Sequence, residues 1–192
     1  MRWLIVGGIA AFWLFQVWAN RPVAYGPGVL APEEPRQKIY AASQTVACNG
    51  YNLKLLASFD ITAKVLSRRT YHGQRGDELS PLDLALGWGP MSDESILKDI
   101  SISQYGRWYH WHVRQFPIPR REIEKHSANM HLIPATPELS RALQDIRTGQ
   151  IVTLRGYLVE VTAPDGWRWR SSLSREDTGA HSCEVMYVES LE

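Results

Sequence analysis

The chain has 192 residues, 44% of them hydrophobic, which is enough for one domain with its own core. Twenty-one Lys and Arg residues nearly balance 20 Asp and Glu residues, and the formal net charge is +1. The chain therefore lacks the overall positive field that draws proteins to nucleic acid, and we expect no nucleic-acid partner.

The first 20 residues have a different character from the rest. Residues 3–19 contain no charged side chain, and Arg2 and Arg21 flank them. A helix of this length spans about 25 Å, so residues 1–20 are predicted to form a transmembrane anchor or signal segment. A cleaved signal peptide and a buried core helix are the alternatives. An anchor would cross the inner (cytoplasmic) membrane once and place the following domain on the periplasmic or extracellular side.

Residues 21–38 are rich in proline and glycine and have little periodicity, so they are predicted to form an extended tether. The α+β domain is expected from residue 39 to residue 192. Its two cysteines, Cys48 and Cys183, lie near its two ends. In an oxidising compartment this arrangement predicts a disulfide. Two inert thiols, or Cys183 as a nucleophile beside His181, are the alternatives.

The first half of the domain is predicted to begin with a hairpin. Asn49-Gly50 suits the positive backbone angles of a two-residue turn. Apolar residues then alternate with polar ones from Phe59 to Val65, which is typical of a strand with one buried face. Ser80-Pro81 predicts the start of a short helix, and Ser92 predicts the cap of a second helix that reaches Ile100.

The stretch "GRWYHWHVR", residues 106–114, is the most aromatic part of the chain. We expect one strand from Ile100 to Val113. Its alternation places Trp108, His110, His112 and Arg114 on one face, and the other face carries Arg107, Tyr109, Trp111 and Val113. Two histidines at this spacing can share a metal ion, but no third ligand follows with diagnostic spacing. We therefore predict neither a metal nor any other cofactor, and a half-exposed histidine face instead.

The last third predicts a helix and a meander of strands. Thr136-Pro137-Glu138 provides a cap, a first-turn proline and an early acid for a helix over residues 137–147. The β-rich "IVTLRGYLVEV" follows, with Gly156 where a small barrel would coil. "APDG" then turns the chain into "WRWRSSL", and "CEVMYVESL" forms the last strand. The fold class predicted is α+β, a curled antiparallel sheet or small barrel with a few short helices.

Two resemblances add to this interpretation. A helix that leads into "GQIVTLRGYLVEV" resembles oligonucleotide/oligosaccharide-binding (OB) barrels, and an SH3-like barrel fits nearly as well. The stretches "LSPLDLALGWGPMSD", "SANMHLIPAT" and "SSLSREDTG" resemble an uncharacterised group of bacterial proteins, each with an N-terminal membrane segment. The second resemblance implies a membrane anchor and supplies no catalytic residues.

Binding is favoured over catalysis. Tryptophan and arginine alternate in two stretches, a pattern that suits stacking on sugar rings or bases, or an interface with another protein. Ordinary cross-strand aromatic pairs are the alternative. We expect a membrane-anchored binding or assembly module that contacts an envelope protein or a glycan through Trp108, Trp111, Arg114, Trp167, Arg168 and Trp169. The competing hypothesis is a cell-envelope hydrolase with a site around His126, His131, Asp177 and His181.

Overall fold

A computed structural model describes residues 21–42, 44–174 and 182–192 of the chain. The fold is mixed α+β, mostly sheet with a few short helices, which confirms the predicted class. The predicted membrane segment, residues 3–19, lies outside the described residues. No helix within those residues is long and apolar enough to cross a membrane.

The described residues form ten strands and three short helices. The strands are β1 (Arg36–Ile39), β2 (Thr45–Cys48), β3 (Tyr51–Thr70), β4 (Leu82–Gly87), β5 (Ile100–Tyr105), β6 (Trp108–Val113), β7 (Ser127–Pro134), β8 (Ile151–Thr162), β9 (Arg168–Arg170) and β10 (Glu184–Leu191). The helices are α1 (Glu94–Leu97), α2 (Arg120–Lys125) and α3 (Pro137–Gln144), with a 3-10 turn at Gly89–Ser92.

The main sheet curls until its two sides meet. The strands pair in the order β3-β4-β7-β10-β8, and β8 pairs again with β3. Strands β7 and β10 run parallel, and the other pairs in this ring are antiparallel. The curl encloses the largest apolar cluster, to which β3 contributes Phe59, Ile61, Ala63 and Val65. The predicted alternation of this strand is confirmed.

Two glycines fix local geometry as the sequence predicts. Asn49 and Gly50 have φ angles of 48° and 82° and form the tight turn between β2 and β3. At Gly156, an added Cβ would lie 2.0 Å from the carbonyl oxygen of Tyr187, so only glycine lets β8 approach β10 here. The register of β10 shifts between Val188 and Ser190, beside this close approach.

The predicted helix after Ser80-Pro81 is wrong. Residues 82–87 form β4, and all six are buried. Leu82, Leu84 and Leu86 face the inside of the curled sheet, while the alternate residues lie beneath other elements on the outside. A strand buried on both faces has no polar alternation, and this is why its period could not be read from the sequence.

The single strand predicted from Ile100 to Val113 is also wrong, because the chain reverses at Gly106 and Arg107. These residues have φ angles of 57° and 68°, as in a two-residue hairpin turn. The hairpin formed by β5 and β6 is a separate two-stranded sheet. The helix predicted over 137–147 is confirmed as α3, with the Thr136 hydroxyl accepting from the Leu139 amide, and it ends at Gln144.

Residues 21–38 lie against the domain. The Val23 amide donates to the Thr148 carbonyl at 2.8 Å, and Ala31 is buried. The Ser92 hydroxyl accepts from the Leu30 and Ala31 amides. This segment is therefore hydrogen-bonded to the domain before β1 begins at Arg36.

The predicted disulfide between Cys48 and Cys183 is wrong, because the two cysteines lie apart and neither is in a disulfide. Cys48 packs in the apolar cluster near Tyr187, whereas Cys183 lies 3.8 Å from the Asn129 amide nitrogen. Burial raises the pKa of the Cys48 thiol.

We predict that an alkylating reagent modifies both cysteines of the unfolded chain without prior reduction. In the folded chain Cys48 should react more slowly than a free thiol, because its raised pKa leaves less thiolate at neutral pH. Mass spectrometry of the alkylated peptides measures both results. Recovery of a peptide that links Cys48 to Cys183 would contradict the prediction.

Candidate functional site

The β5–β6 hairpin lies over the outer face of β4 and β7. Its inward face carries Ile100, Ile102, Tyr109, Trp111 and Val113, which pack in an apolar cluster with Leu66, Ala85, Met91 and Ile123. The outward face of the hairpin carries the alternate residues of both strands, including Tyr105, Trp108 and His110. The predicted split of the aromatic stretch into an inner and an outer face is therefore confirmed for β6.

Arg107, at the tip of this hairpin, is held by two buried carboxylates. Its guanidinium donates to Asp83 Oδ1 and to Asp77 Oδ1, both at 2.6 Å, and to the Ser80 carbonyl at 2.8 Å. The guanidinium carbon lies 4.1 Å from the centre of the Tyr71 ring. The Asp83 side chain is fully buried. The Arg107–Asp83 ion pair therefore links the hairpin to β4 through a carboxylate that is shielded from solvent.

His131 joins the same network from β7. Its Nδ1 lies 2.9 Å from Asp83 Oδ1, in a close contact that lacks hydrogen-bond geometry, and its ring centre lies 4.7 Å from that of Trp169. Asp83 Oδ2 is buried and has no hydrogen-bond partner among the described residues. The Asp83 carboxylate therefore depends on Arg107 for its charge-assisted hydrogen bond.

A second set of polar contacts holds the middle of the hairpin. Gln104 Nε2 donates to Asn129 Oδ1 at 2.7 Å, and Asn129 Nδ2 donates to the Arg107 carbonyl at 3.2 Å. The Tyr109 hydroxyl hydrogen-bonds Ser127 Oγ at 3.1 Å. Burial raises the pKa of Tyr109 to about 12, so this hydroxyl stays protonated at any physiological pH.

A cleft of about 630 Å³ runs along β6 on the side away from β5. Every residue of β6 lines the cleft, including residues whose side chains point to opposite faces of the hairpin. The cleft therefore follows the edge of the strand and not one of its faces. Its other walls come from α2 with the preceding loop and from the start of β7 and β10. They include Trp88, Phe116, Arg120, Glu124, Lys125, Ser127, Ala128, Asn129, Ser174, Ser182, Cys183 and Glu184.

The candidate binding residues fall into two groups in the structure. Trp108 and Trp111 line the cleft, and Arg114 is exposed just after β6. Trp167 and Trp169 pack against a different apolar cluster. Arg168 points to the opposite face of β9, where it joins a shallow polar groove with Lys54 and Glu160.

The two groups are connected through Arg107. Its guanidinium carbon lies 5.5 Å from the centre of the Trp169 ring, and Trp108 is the next residue in the chain. The stretches containing Trp108 and Trp169 therefore meet at the hairpin tip, although they do not form one flat aromatic band.

The histidines of the hydrolase hypothesis have separate surroundings. His126 packs against Trp88, and its Nδ1 donates to the Glu122 carbonyl at 2.9 Å, whereas His131 contacts Asp83 and Trp169. The remaining two members, at positions 177 and 181, lie outside the described residues. Within the described ranges, no three His, Cys, Asp or Glu side chains are arranged to hold a metal ion.

Sequence reasoning missed Arg107, Asp77 and Asp83. Arg107 lies 24 positions after Asp83 and 30 positions after Asp77, so no local spacing links it to them. One signal was available: Asp83 interrupts the apolar run "LDLALG", and a buried carboxylate requires a cationic partner.

Comparisons with known proteins identify no relative. No protein-family model, no curated protein and no solved structure matches the chain.

We predict that Arg107→Leu lowers the free energy of unfolding by about 3 kcal/mol, because it leaves Asp83 buried without its guanidinium. This value lies at the low end of the usual range, since Arg107 keeps about one fifth of its side chain exposed (21%). Urea denaturation measures the effect. Arg114→Leu, at an exposed position after the same strand, is the control and should change stability by less than ~0.5 kcal/mol. Equal effects of the two substitutions would contradict the prediction.

Proposed function

We propose that this chain is a membrane-anchored, extracytoplasmic binding module that takes a protein or glycan partner in the cleft along β6. The observation that carries the proposal is the cleft itself, whose wall is an entire strand with exposed aromatic side chains. Trp108 is 43% exposed and Phe116 is 50% exposed, although tryptophan and phenylalanine are usually among the more buried residues. Solvent-exposed aromatic side chains next to polar groups are typical of binding sites.

We propose further that the curled sheet is a barrel of the OB type. In chain order, the strands of the ring are β3, β4, β7, β8 and β10, with α3 between the third and fourth. OB barrels bind ligands on the face of their second and third strands. In this chain the β5–β6 hairpin, inserted between those two strands, covers that face. The accessible surface is therefore displaced to the edge of the hairpin.

The membrane anchor rests on the uncharged run of residues 3–19. Only three chain steps separate Asn20 from Val23, which is bonded to Thr148, so they reach about 10 Å. An anchor that ends at residue 20 would hold the α3–β8 loop close to the bilayer surface. The module would then work at the membrane and not at the end of a long, free tether.

The proposal is tested by photocrosslinking in intact membranes. We expect a photoreactive phenylalanine analogue at Phe116, inside the cleft, to form an adduct with a protein or glycan. The same analogue at Ile39, an exposed position on β1, is the control and should form none. Trp108→Ala should weaken the Phe116 adduct, because it removes an aromatic wall of the cleft. An identical adduct pattern at both positions, or no adduct at Phe116, would contradict the proposed function.

A further inference from the structure

The hairpin turn determines which backbone groups of β6 face the cleft. In a two-residue hairpin the residues that flank the turn, Tyr105 and Trp108, exchange both backbone hydrogen bonds, and every second pair after them does the same. The N–H and C=O groups of the intervening residues point away from β5. In β6 these residues are Tyr109, Trp111 and Val113.

These groups form an open strand edge. The sheet of β5 and β6 has two strands, and no other strand in the described part of the chain pairs with it. The six residues of β6 cover about 20 Å and all line the cleft. Natural proteins usually protect such an edge with charge, proline or a covering element. The exposed edge of β6 carries neither a charged residue nor a proline, so it is suited to pairing.

The walls of the cleft indicate the chemistry of the partner. Two cationic residues, Arg120 and Lys125, are balanced by two acidic ones, Glu124 and Glu184, and Arg120 is bonded to Glu124 at 2.7 Å. A partner with strong charge of either sign therefore gains nothing from the walls. The rest of the lining combines aromatic side chains with small polar ones such as Ser127 and Asn129. The aromatic side chains, which include Trp88, Trp108 and Phe116, favour apolar and β-branched side chains opposite β6.

We propose that an extended, uncharged segment of a partner polypeptide adds to β6 as a third strand of the hairpin sheet. This inference rests on the proposed function and specifies its ligand. Backbone hydrogen bonds to residues 109, 111 and 113 supply affinity, and the aromatic walls select the side chains. A glycan has no peptide backbone, so it does not present N–H and C=O groups at the strand spacing that this edge complements.

The test distinguishes the contribution of the backbone N–H to peptide binding from that of the side chain at position 113. An array of linear, uncharged seven-residue peptides is probed with the full chain in detergent micelles. Val113→Pro removes one cleft-facing N–H and should raise the Kd of the bound peptides about tenfold. Val113→Ala keeps that N–H and should change the Kd less than about twofold. Far-UV circular dichroism of both variants checks that the sheet is retained.

N-methylated peptides provide a second test that needs no change in the chain. Successive N–H groups of a bound peptide point alternately toward β6 and away from it. Methylation of the amides that face β6 should abolish binding, and methylation of the amides between them should leave it intact. Equal losses from Val113→Pro and Val113→Ala together with a flat N-methyl scan would overturn strand addition. Binding of N-acetylglucosamine oligomers alone, or a dimer of this chain that Val113→Pro dissociates, would overturn it too. In these cases a Phe116 adduct that persists in Val113→Pro membranes would leave the broader proposed function standing.

Discussion

The ion pairs of Arg107 with Asp77 and Asp83 determine where the β5–β6 hairpin lies. A buried carboxylate is costly without a cation, and the hairpin tip supplies that cation only when it is seated on β4. The positive φ angle of Arg107, 68°, directs its side chain back under the turn and is tolerated because the turn requires it. The apolar cluster beneath the hairpin adds apolar burial to this polar contact.

The position of the hairpin determines what the molecule can recognise. Seated on β4 and β7, it buries Asn129 and His131, which would otherwise face solvent on the outside of the barrel. The same placement leaves one edge of β6 without a partner strand and sets it opposite α2 and the start of β10. A covered barrel face and an open hairpin edge are therefore two consequences of one arrangement.

Local signals predicted much of the fold and little of the site. The Asn49-Gly50 turn, the Thr136 cap of α3 and the glycine of β8 act on neighbouring residues, so their sequence patterns were sufficient. The Gly106-Arg107 turn was missed because arginine rarely adopts a positive φ angle. β4 was mistaken for a helix because the hairpin buries its second face. Partners distant in the chain, such as Arg107 and Asp77, leave no local pattern.

Hydrogen exchange measured residue by residue in the wild-type chain and in Arg107→Leu tests the central claim most directly. If Arg107 holds the hairpin on the barrel, the amides of Trp108 and His110, which pair with β5, should exchange at least about tenfold faster in the variant. The amides of β8, within the barrel, should keep their protection once the overall loss of stability is subtracted. Unchanged protection of Trp108 and His110 would show that the hairpin keeps its place without the ion pairs, and would contradict the account.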